Sequence, residues 1–164
     1  MNVTFLGKKL TLEGVQPKVG EKAPDFHLFN LDEKEVSLSD LLTKPTLISV
    51  VPNIDTKICS IQTKKFYQEL GAVEGIHLVT ISDNTREEQA GWCATEGVEM
   101  EFLHDTDRTF GKAYGLFIPK FGHLARATFV IDTDGTIVYE EIVPKIGQEP
   151  EYQPAIKALE ELKK

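Results

Sequence analysis

The sequence predicts an α/β protein with a mixed central sheet flanked by helices. Apolar, strand-like runs alternate with helical patterns between residues 46 and 115. A strand hairpin over residues 126–143 and an amphipathic segment over residues 149–164 follow them. With 164 residues the chain has the length of one ordinary domain, so we expect a single domain over residues 1–164.

The first elements are short strands and turns. Residues 4–12 (TFLGKKLTL) predict an N-terminal hairpin about a turn at residues 7–9. Residues 26–30 and 35–39 carry β-favouring patterns on either side of the turn LDEK. The run TLISVV at 46–51 is nearly all apolar, which predicts a strand buried on both faces and ended by Pro52.

Helices and strands then alternate. We predict a helix over 59–71 that ends at Gly71, a buried strand over 76–82, and a helix over 85–97 that Asp83 or Asn84 can cap. A strand at 100–105 and a short helix at 107–115 follow. The hairpin at 126–143 turns near Gly135, and the last helix has apolar residues at helical spacing. This order is the thioredoxin-like plan.

Composition excludes several classes of protein. Hydrophobic residues make up 41% of the chain and charged residues 27%, which is typical of a globular protein. The net charge of −8 argues against a nucleic-acid partner, and no apolar run is long enough for a membrane span. The N-terminus lacks a secretory pattern, so we expect a cytoplasmic protein. Four scattered histidines show no metal-ligand spacing.

One of the two cysteines, Cys59, lies where chemistry is expected. Open α/β sheets form ligand sites beyond the carboxyl ends of their strands, and Cys59 follows the buried strand at 46–51. A helix starting near Cys59 would direct backbone N–H groups at the sulfur and favour the reactive thiolate. Thr56 is close enough to reach the sulfur or a bound oxygen, and Pro52 can shield one side of a pocket.

Arg126 is the best candidate for a cation at this site. It begins a predicted strand among small and apolar residues, and an arginine so placed needs a partner. Its planar fork can hold both a sulfur and an oxyanion. A purely structural role for these residues remains open. A lone cysteine is often a small core residue, and Thr56 can serve as an ordinary helix cap.

These residues resemble the active-site motif of peroxiredoxins. The pattern P-x-x-x-T-x-x-C is formed by Pro52, Thr56 and Cys59, and residues 111–143 with their LARA segment are similar to the thiol peroxidase (Tpx) subfamily. The similarity extends over the N-terminal hairpin, GEKAPDF, SVVPNIDTKIC and the EGV after Cys93. Two residues depart from the pattern. Lys57 stands where we expect Pro or Gly, and His123 stands where we expect an apolar residue.

The resemblance implies the roles of the site residues. Cys59 is the peroxidatic nucleophile, Thr56 and Arg126 organise the thiolate and the peroxide, and Cys93 is the resolving cysteine of an atypical two-cysteine enzyme with an intramolecular disulfide. It also implies thioredoxin as reductant, a homodimer, a preference for alkyl hydroperoxides, and no metal or organic cofactor.

Two other functions remain open at this point. A thiol-based redox sensor or disulfide exchange protein would use the same two cysteines without a selective peroxide pocket. A noncatalytic interaction module would bury both thiols. Cys59 and Cys93 fall on separate predicted helices, whereas a disulfide needs Cα atoms about 5.5 to 6 Å apart. We therefore expect local unwinding around one or both cysteines during turnover.

Overall fold

The computed structural model describes residues 1–163, and Lys164 lies outside the described residues. The strands are β1 (Asn2–Phe5), β2 (Lys8–Thr11), β3 (His27–Asn30), β4 (Glu35–Ser37), β5 (Thr46–Val50), β6 (His77–Ser82), β7 (Glu101–His104), β8 (Phe117–Ile118), β9 (His123–Leu124), β10 (Ala127–Ile131) and β11 (Ile137–Ile142). The helices are α1 (Leu38–Leu41), α2 (Lys57–Leu70), α3 (Arg86–Glu96), α4 (Thr109–Ala113) and α5 (Tyr152–Leu162).

A seven-stranded mixed sheet organises the fold, in the order β11-β10-β5-β6-β7-β3-β4. β5, β6 and β7 are parallel neighbours, because helical crossovers connect them. β10 pairs antiparallel with both β5 and β11, and β3 pairs antiparallel with both β7 and β4. The predicted α/β class with a mixed central sheet is confirmed.

The sheet carries a hydrophobic cluster on each face. Every residue of β5 is buried, as its continuous apolar run predicts. On one face Leu47 packs with residues of α2 and α5, among them Phe66 and Leu159. On the other face Ile48 belongs to a larger cluster that includes Tyr114. β5 is therefore held from both sides, and its carboxyl end is a fixed starting point for the loop that follows.

The N-terminal hairpin is present, with its turn one residue earlier than predicted. Leu6 and Gly7 form the turn with φ of 51° and 82°, and the following lysines already belong to β2. A two-residue hairpin turn of this kind requires positive φ at both positions. Gly7 suggested a turn, but the sequence did not indicate that Leu6 would be its first residue. The hairpin is anchored to the segment after β11, since Thr4 N donates to Pro144 O at 2.8 Å and Ile146 N donates to Thr4 O at 2.9 Å.

Two local predictions were wrong. The strand expected at 35–39 ends at Ser37, because Ser37 and Asp40 form a capping box that starts α1. Helix α3 is capped by Thr85, whose hydroxyl accepts from Glu88 N, and not by Asp83 or Asn84. Both of those side chains face other parts of the fold. In α1 and α3 the start of the helix is therefore set by a capping box, formed by a residue and the third residue after it.

No helix within residues 1–163 combines the length and the apolar character that crossing a membrane requires.

Candidate active site

Cys59 lies in the first turn of α2, just beyond the carboxyl end of β5. The chain leaves β5 through Val51 and Pro52, and Thr56 occupies the N-cap position of α2. This start places Cys59 at the third helical position, where backbone N–H groups have no partner within the helix. The Cys59 side chain is 1% exposed. The thiol is thus buried at the positive end of a 14-residue helix.

Two donors contact the Cys59 sulfur. Arg126 Nη1 lies 3.4 Å from Sγ, and Asn53 N donates to Sγ at 3.5 Å. The predicted meeting of Arg126 with Cys59 is therefore observed across 67 residues of sequence. A guanidinium and a backbone N–H are both groups that can stabilise negative charge on a sulfur atom.

The Arg126 guanidinium is held rigidly from two sides. Its Nε and Nη2 donate to the Ile146 carbonyl at 3.1 and 2.8 Å, and its Nη1 donates to Gln62 Oε1 at 3.0 Å. Gln62 is itself fixed, because its amide donates to Ser49 Oγ at 2.8 Å. Arg126 is only 2% exposed. Its orientation toward the sulfur is thus set before any substrate enters.

The predicted substrate-binding residues line one cavity of about 380 Å³ together with Cys59. Pro52, Thr56 and Arg126 all contribute to its wall. The remaining lining is largely apolar and includes Phe5, Ile58, Phe121 and Ile146. A cavity with apolar walls and a few convergent polar groups is typical of a small-molecule site.

The Thr56 hydroxyl is oriented by the loop before α2. Thr56 Oγ1 donates to the Asn53 carbonyl at 2.7 Å and makes no side-chain capping bond to the helix. The hydroxyl proton is therefore engaged, and the oxygen lone pairs are the part of Thr56 that can accept a hydrogen bond from a ligand hydroxyl. Thr56 lies on the wall of the cavity that Cys59 also lines.

His123 and two aromatic rings form another part of the wall. The rings of Phe5 and Phe121 have centroids 5.2 Å apart, and Phe121 meets His123 edge to face at 5.4 Å. His123 Nδ1 lies 2.9 Å from Asp83 Oδ1. The hydrogen bond that His123 donates to Asp83 raises the pKa of His123 above its ordinary value, against an opposing effect of burial.

Cys93 lies on α3 and lines a different cavity. It is half-buried beside Asn30, Leu31 and Met100. Both cysteines are free thiols, and both pack in the hydrophobic cluster that contains Trp92 and Phe102. Burial raises the pKa of the Cys93 thiol. The structure thus brings Cys93 to the same cluster as Cys59 without giving it access to the Cys59 cavity.

The contacts of Asn53, Gln62 and His123 were not anticipated from the sequence. Gln62 is a fully buried glutamine on the apolar stripe of α2, between Cys59 and Phe66, and a polar residue in such a stripe is a detectable signal. Asn53 contributes through its backbone, which no side-chain pattern reports. His123 was noticed as a departure from the family, but its place on the cavity wall depends on the β8–β9 hairpin, which the sequence did not predict.

Within residues 1–163 no group of three or more His, Cys, Asp or Glu side chains is arranged to hold a metal ion.

Fold and site together define a thioredoxin-like protein with a buried cysteine whose sulfur contacts an arginine. The model of the AhpC/TSA family matches residues 19–140. The chain is 43% identical to a thiol peroxidase of Listeria innocua over 95% of this chain and 96% of that protein, and 40% identical to a thiol peroxidase of Bacillus subtilis over 99% and 98%. A peroxiredoxin-like protein from Aquifex aeolicus superposes with a TM-score of 0.92 at 30% identity, covering 98% of this chain and 96% of that one.

This protein belongs to the AhpC/TSA family. The predicted resemblance to thiol peroxidases within the peroxiredoxins is confirmed over nearly the whole chain.

Proposed function

We propose that this protein is a thiol-dependent peroxidase that reduces hydroperoxides through Cys59. The observation that carries the proposal is the pair of donors on the sulfur, Arg126 Nη1 at 3.4 Å and Asn53 N at 3.5 Å, at the wall of an apolar cavity. These donors favour a thiolate that faces a space large enough for an organic peroxide. The name thiol peroxidase borne by relatives about 40% identical supports the same activity.

In the proposed reaction the Cys59 thiolate attacks the terminal oxygen of the hydroperoxide. An S–O bond forms as the O–O bond breaks, so that Cys59 becomes a sulfenic acid and the peroxide leaves as an alcohol or water. Arg126 stabilises the charge that moves from sulfur to oxygen, and Thr56 accepts the hydrogen bond of the peroxide hydroxyl. Pro52 closes one side of the cavity and keeps bulk water from the thiolate. No metal or organic cofactor takes part.

Cys93 then resolves the sulfenic acid by forming an intramolecular disulfide with Cys59. Two contacts hold the helices of the cysteines together, since Trp92 Nε1 donates to Ser60 Oγ at 3.1 Å and Lys64 Nζ donates to Glu96 at 2.7 Å. Because Cys93 lines a separate cavity, the proposal requires local unwinding of α2, of α3 or of both. Crystals of reduced and oxidised protein with the same helices would contradict this step.

Thioredoxin is the proposed reductant, acting through a mixed disulfide. We also propose a homodimer that forms near the active-site loops, a cytoplasmic location, and a preference for alkyl hydroperoxides over hydrogen peroxide. The apolar wall of the cavity supports the last point, because an alkyl or aryl group would bury its surface there.

The test treats reduced protein with one equivalent of cumene hydroperoxide and maps its thiols by mass spectrometry. We expect rapid formation of a Cys59–Cys93 disulfide. Cys59→Ser should abolish it, and Cys93→Ser should accumulate Cys59 sulfenic acid. Addition of thioredoxin, with glutaredoxin as the matched control, should identify the dithiol that restores the reduced form.

Other outcomes favour the alternatives. Slow reaction with peroxide together with fast exchange with protein disulfides would indicate a redox sensor or disulfide exchange protein. Thiols that react with neither peroxide nor a small alkylating agent in the native protein would indicate a noncatalytic interaction module.

A further inference from the structure

The Asp83–His123 pair lies beside the Cys59 cavity and has no role in the reaction described so far. His123 begins β9 and lines the cavity, and its Nδ1 is 2.9 Å from Asp83 Oδ1. Because Asp83 occupies Nδ1, Nε2 is the ring nitrogen left to interact with a molecule in the cavity. A carboxylate that orients a histidine in this way is a recurring arrangement in acid–base catalysis.

The carboxylate of Asp83 is buried, which is unusual for a charged group. Asp83 directly follows β6, its side chain is 1% exposed, and a buried carboxylate is costly unless it is paired. Arg108 Nη2 lies 3.5 Å from Asp83 Oδ2 and also donates to the Gly122 carbonyl at 2.9 Å. Arg108 therefore already supplies a positive charge to Asp83 and anchors the turn before His123. His123 Nδ1 supplies the hydrogen bond to Asp83 Oδ1, and Nε2 remains available for another role.

Charged groups on several elements face His123, and their signs compete. Asp83 and Glu88 favour its protonated form, whereas Arg108 opposes it. The cavity that His123 lines is also lined by Lys57 and Cys59 from α2 and by Arg126, which directly precedes β10. The hydrogen bond to Asp83 is the dominant influence, and it raises the pKa of His123. The imidazolium population at neutral pH is therefore larger than that of a free histidine.

We propose that His123 is the proton donor to the leaving oxygen of the peroxide. When the Cys59 thiolate takes the terminal hydroxyl of the peroxide, the remaining alkoxide accepts a proton from His123 Nε2. The products are a sulfenic acid, an alcohol and neutral imidazole, so charge and atoms balance. Solvent returns the proton to His123, and Asp83 stabilises the imidazolium before each turnover. This inference rests on the proposed peroxidase function and adds a residue to it.

The test exploits the difference between poor and good leaving groups. Cumene hydroperoxide releases an alkoxide, which needs a proton, whereas peracetic acid releases acetate, which is stable as an anion. His123→Asn keeps a donor near the Nδ1 position for Asp83 but has no acidic group. We expect its rate constant with cumene hydroperoxide to fall about a hundredfold, and its rate with peracetic acid to stay within about threefold of the wild type.

The pH profile provides a second readout. The wild-type rate with cumene hydroperoxide should decrease as pH rises through the raised pKa of His123, and His123→Asn should lack this limb. His27→Asn is the matched control, since His27 is an exposed histidine on β3 that also has acidic neighbours, and it should behave as the wild type. If His123→Asn folds poorly, as judged by its melting temperature, His123→Gln replaces it.

Equal losses with both peroxides would overturn the inference and assign His123 to structure alone. An unchanged rate with cumene hydroperoxide in His123→Asn would overturn it as well, while leaving the peroxidase function intact. A wild-type protein that reacts with neither peroxide would instead contradict the proposed function itself.

Discussion

The most informative single substitution is Arg126→Lys, because it keeps the positive charge and removes the planar guanidinium with its several N–H donors. Arg126 makes hydrogen bonds to the Ile146 carbonyl through Nε and Nη2, and to Gln62 Oε1 and Cys59 Sγ through Nη1. A lysine ammonium carries its donors on one nitrogen and cannot reach the Ile146 carbonyl and the sulfur together. We expect the contact with the sulfur to be lost.

The size of the effect follows from these contacts. Loss of one preorganised donor at a reacting centre costs about 10²- to 10³-fold in rate. A buried acceptor left without a donor, here Gln62 Oε1 or the Ile146 carbonyl, costs about 1–3 kcal/mol of stability. Arg126→Lys should therefore slow sulfenic acid formation by at least about a hundredfold and lower the free energy of unfolding by about 2 kcal/mol.

Stopped-flow fluorescence can measure the rate in a Cys93→Ser background, which stops the reaction at the sulfenic acid. Trp92, the one tryptophan of the chain, packs in the same cluster as Cys59 and is a suitable reporter. Arg86→Lys is the matched control, because Arg86 also donates to a backbone carbonyl, that of Leu31 at 2.6 Å. Urea unfolding of each variant separates the loss of rate from the loss of stability.

A folded Arg126→Lys protein that reacts within about threefold of the wild type would refute the reasoning, because the expected loss is at least about a hundredfold. Charge alone, and not the oriented fork, would then suffice at the sulfur. A comparable loss in Arg86→Lys would likewise show that the effect is not specific to the site.

Three further predictions concern individual groups. Thr56→Val should slow the reaction of Cys59 with peroxide about tenfold, the value of one hydrogen bond, while Thr56→Ser should retain the wild-type rate. Equal stopped-flow rates for Thr56→Val and the wild type would exclude a role for the hydroxyl. Because burial raises the pKa of Cys93, disulfide closure should accelerate about tenfold per pH unit near neutrality as its thiolate fraction grows, and a rate independent of pH in quenched-flow mass spectrometry would contradict this. Burial raises the pKa of Asp105 from 3.8 to about 7. Between these values the unfolded chain is ionised while the folded protein keeps the proton, so stability falls as pH rises, by about 2 kcal/mol from pH 5.5 to 7. The free energy of unfolding of Asp105→Asn, measured with urea, should not show this decrease with pH. The same pH dependence in Asp105→Asn and the wild type would contradict the prediction.

Part of the site could be predicted because it is local. The buried run at 46–51, the stop at Pro52 and the helix after it place Cys59 at a strand exit, and each signal spans only a few residues. Thr56 is three residues from Cys59, so the same short segment positions both. Arg126 was predicted by its chemistry, since an arginine among apolar residues needs a partner.

Other features depend on contacts between residues far apart in sequence. The Gln62 side chain and the Ile146 carbonyl meet at Arg126 because β10 pairs with β5 and the segment after β11 pairs with β1. The same pairing brings Phe5 of the N-terminal hairpin to the cavity that Arg126 lines. No periodicity reports such pairings. The β8–β9 hairpin has only two residues in each strand, too few to give a pattern, so the place of His123 was also unpredictable.

The sequence by itself determined the fold class, the strand exit that carries Cys59, and the family to which the chain belongs. Tertiary structure alone decided that Arg126 lies 3.4 Å from the Cys59 sulfur, that His123 joins the cavity with Asp83 behind it, and that Cys93 lies outside that cavity. The physical reason is that periodicity and capping are properties of neighbouring residues. The electrostatics of a buried site, in contrast, depend on which distant groups the sheet brings within a few ångströms.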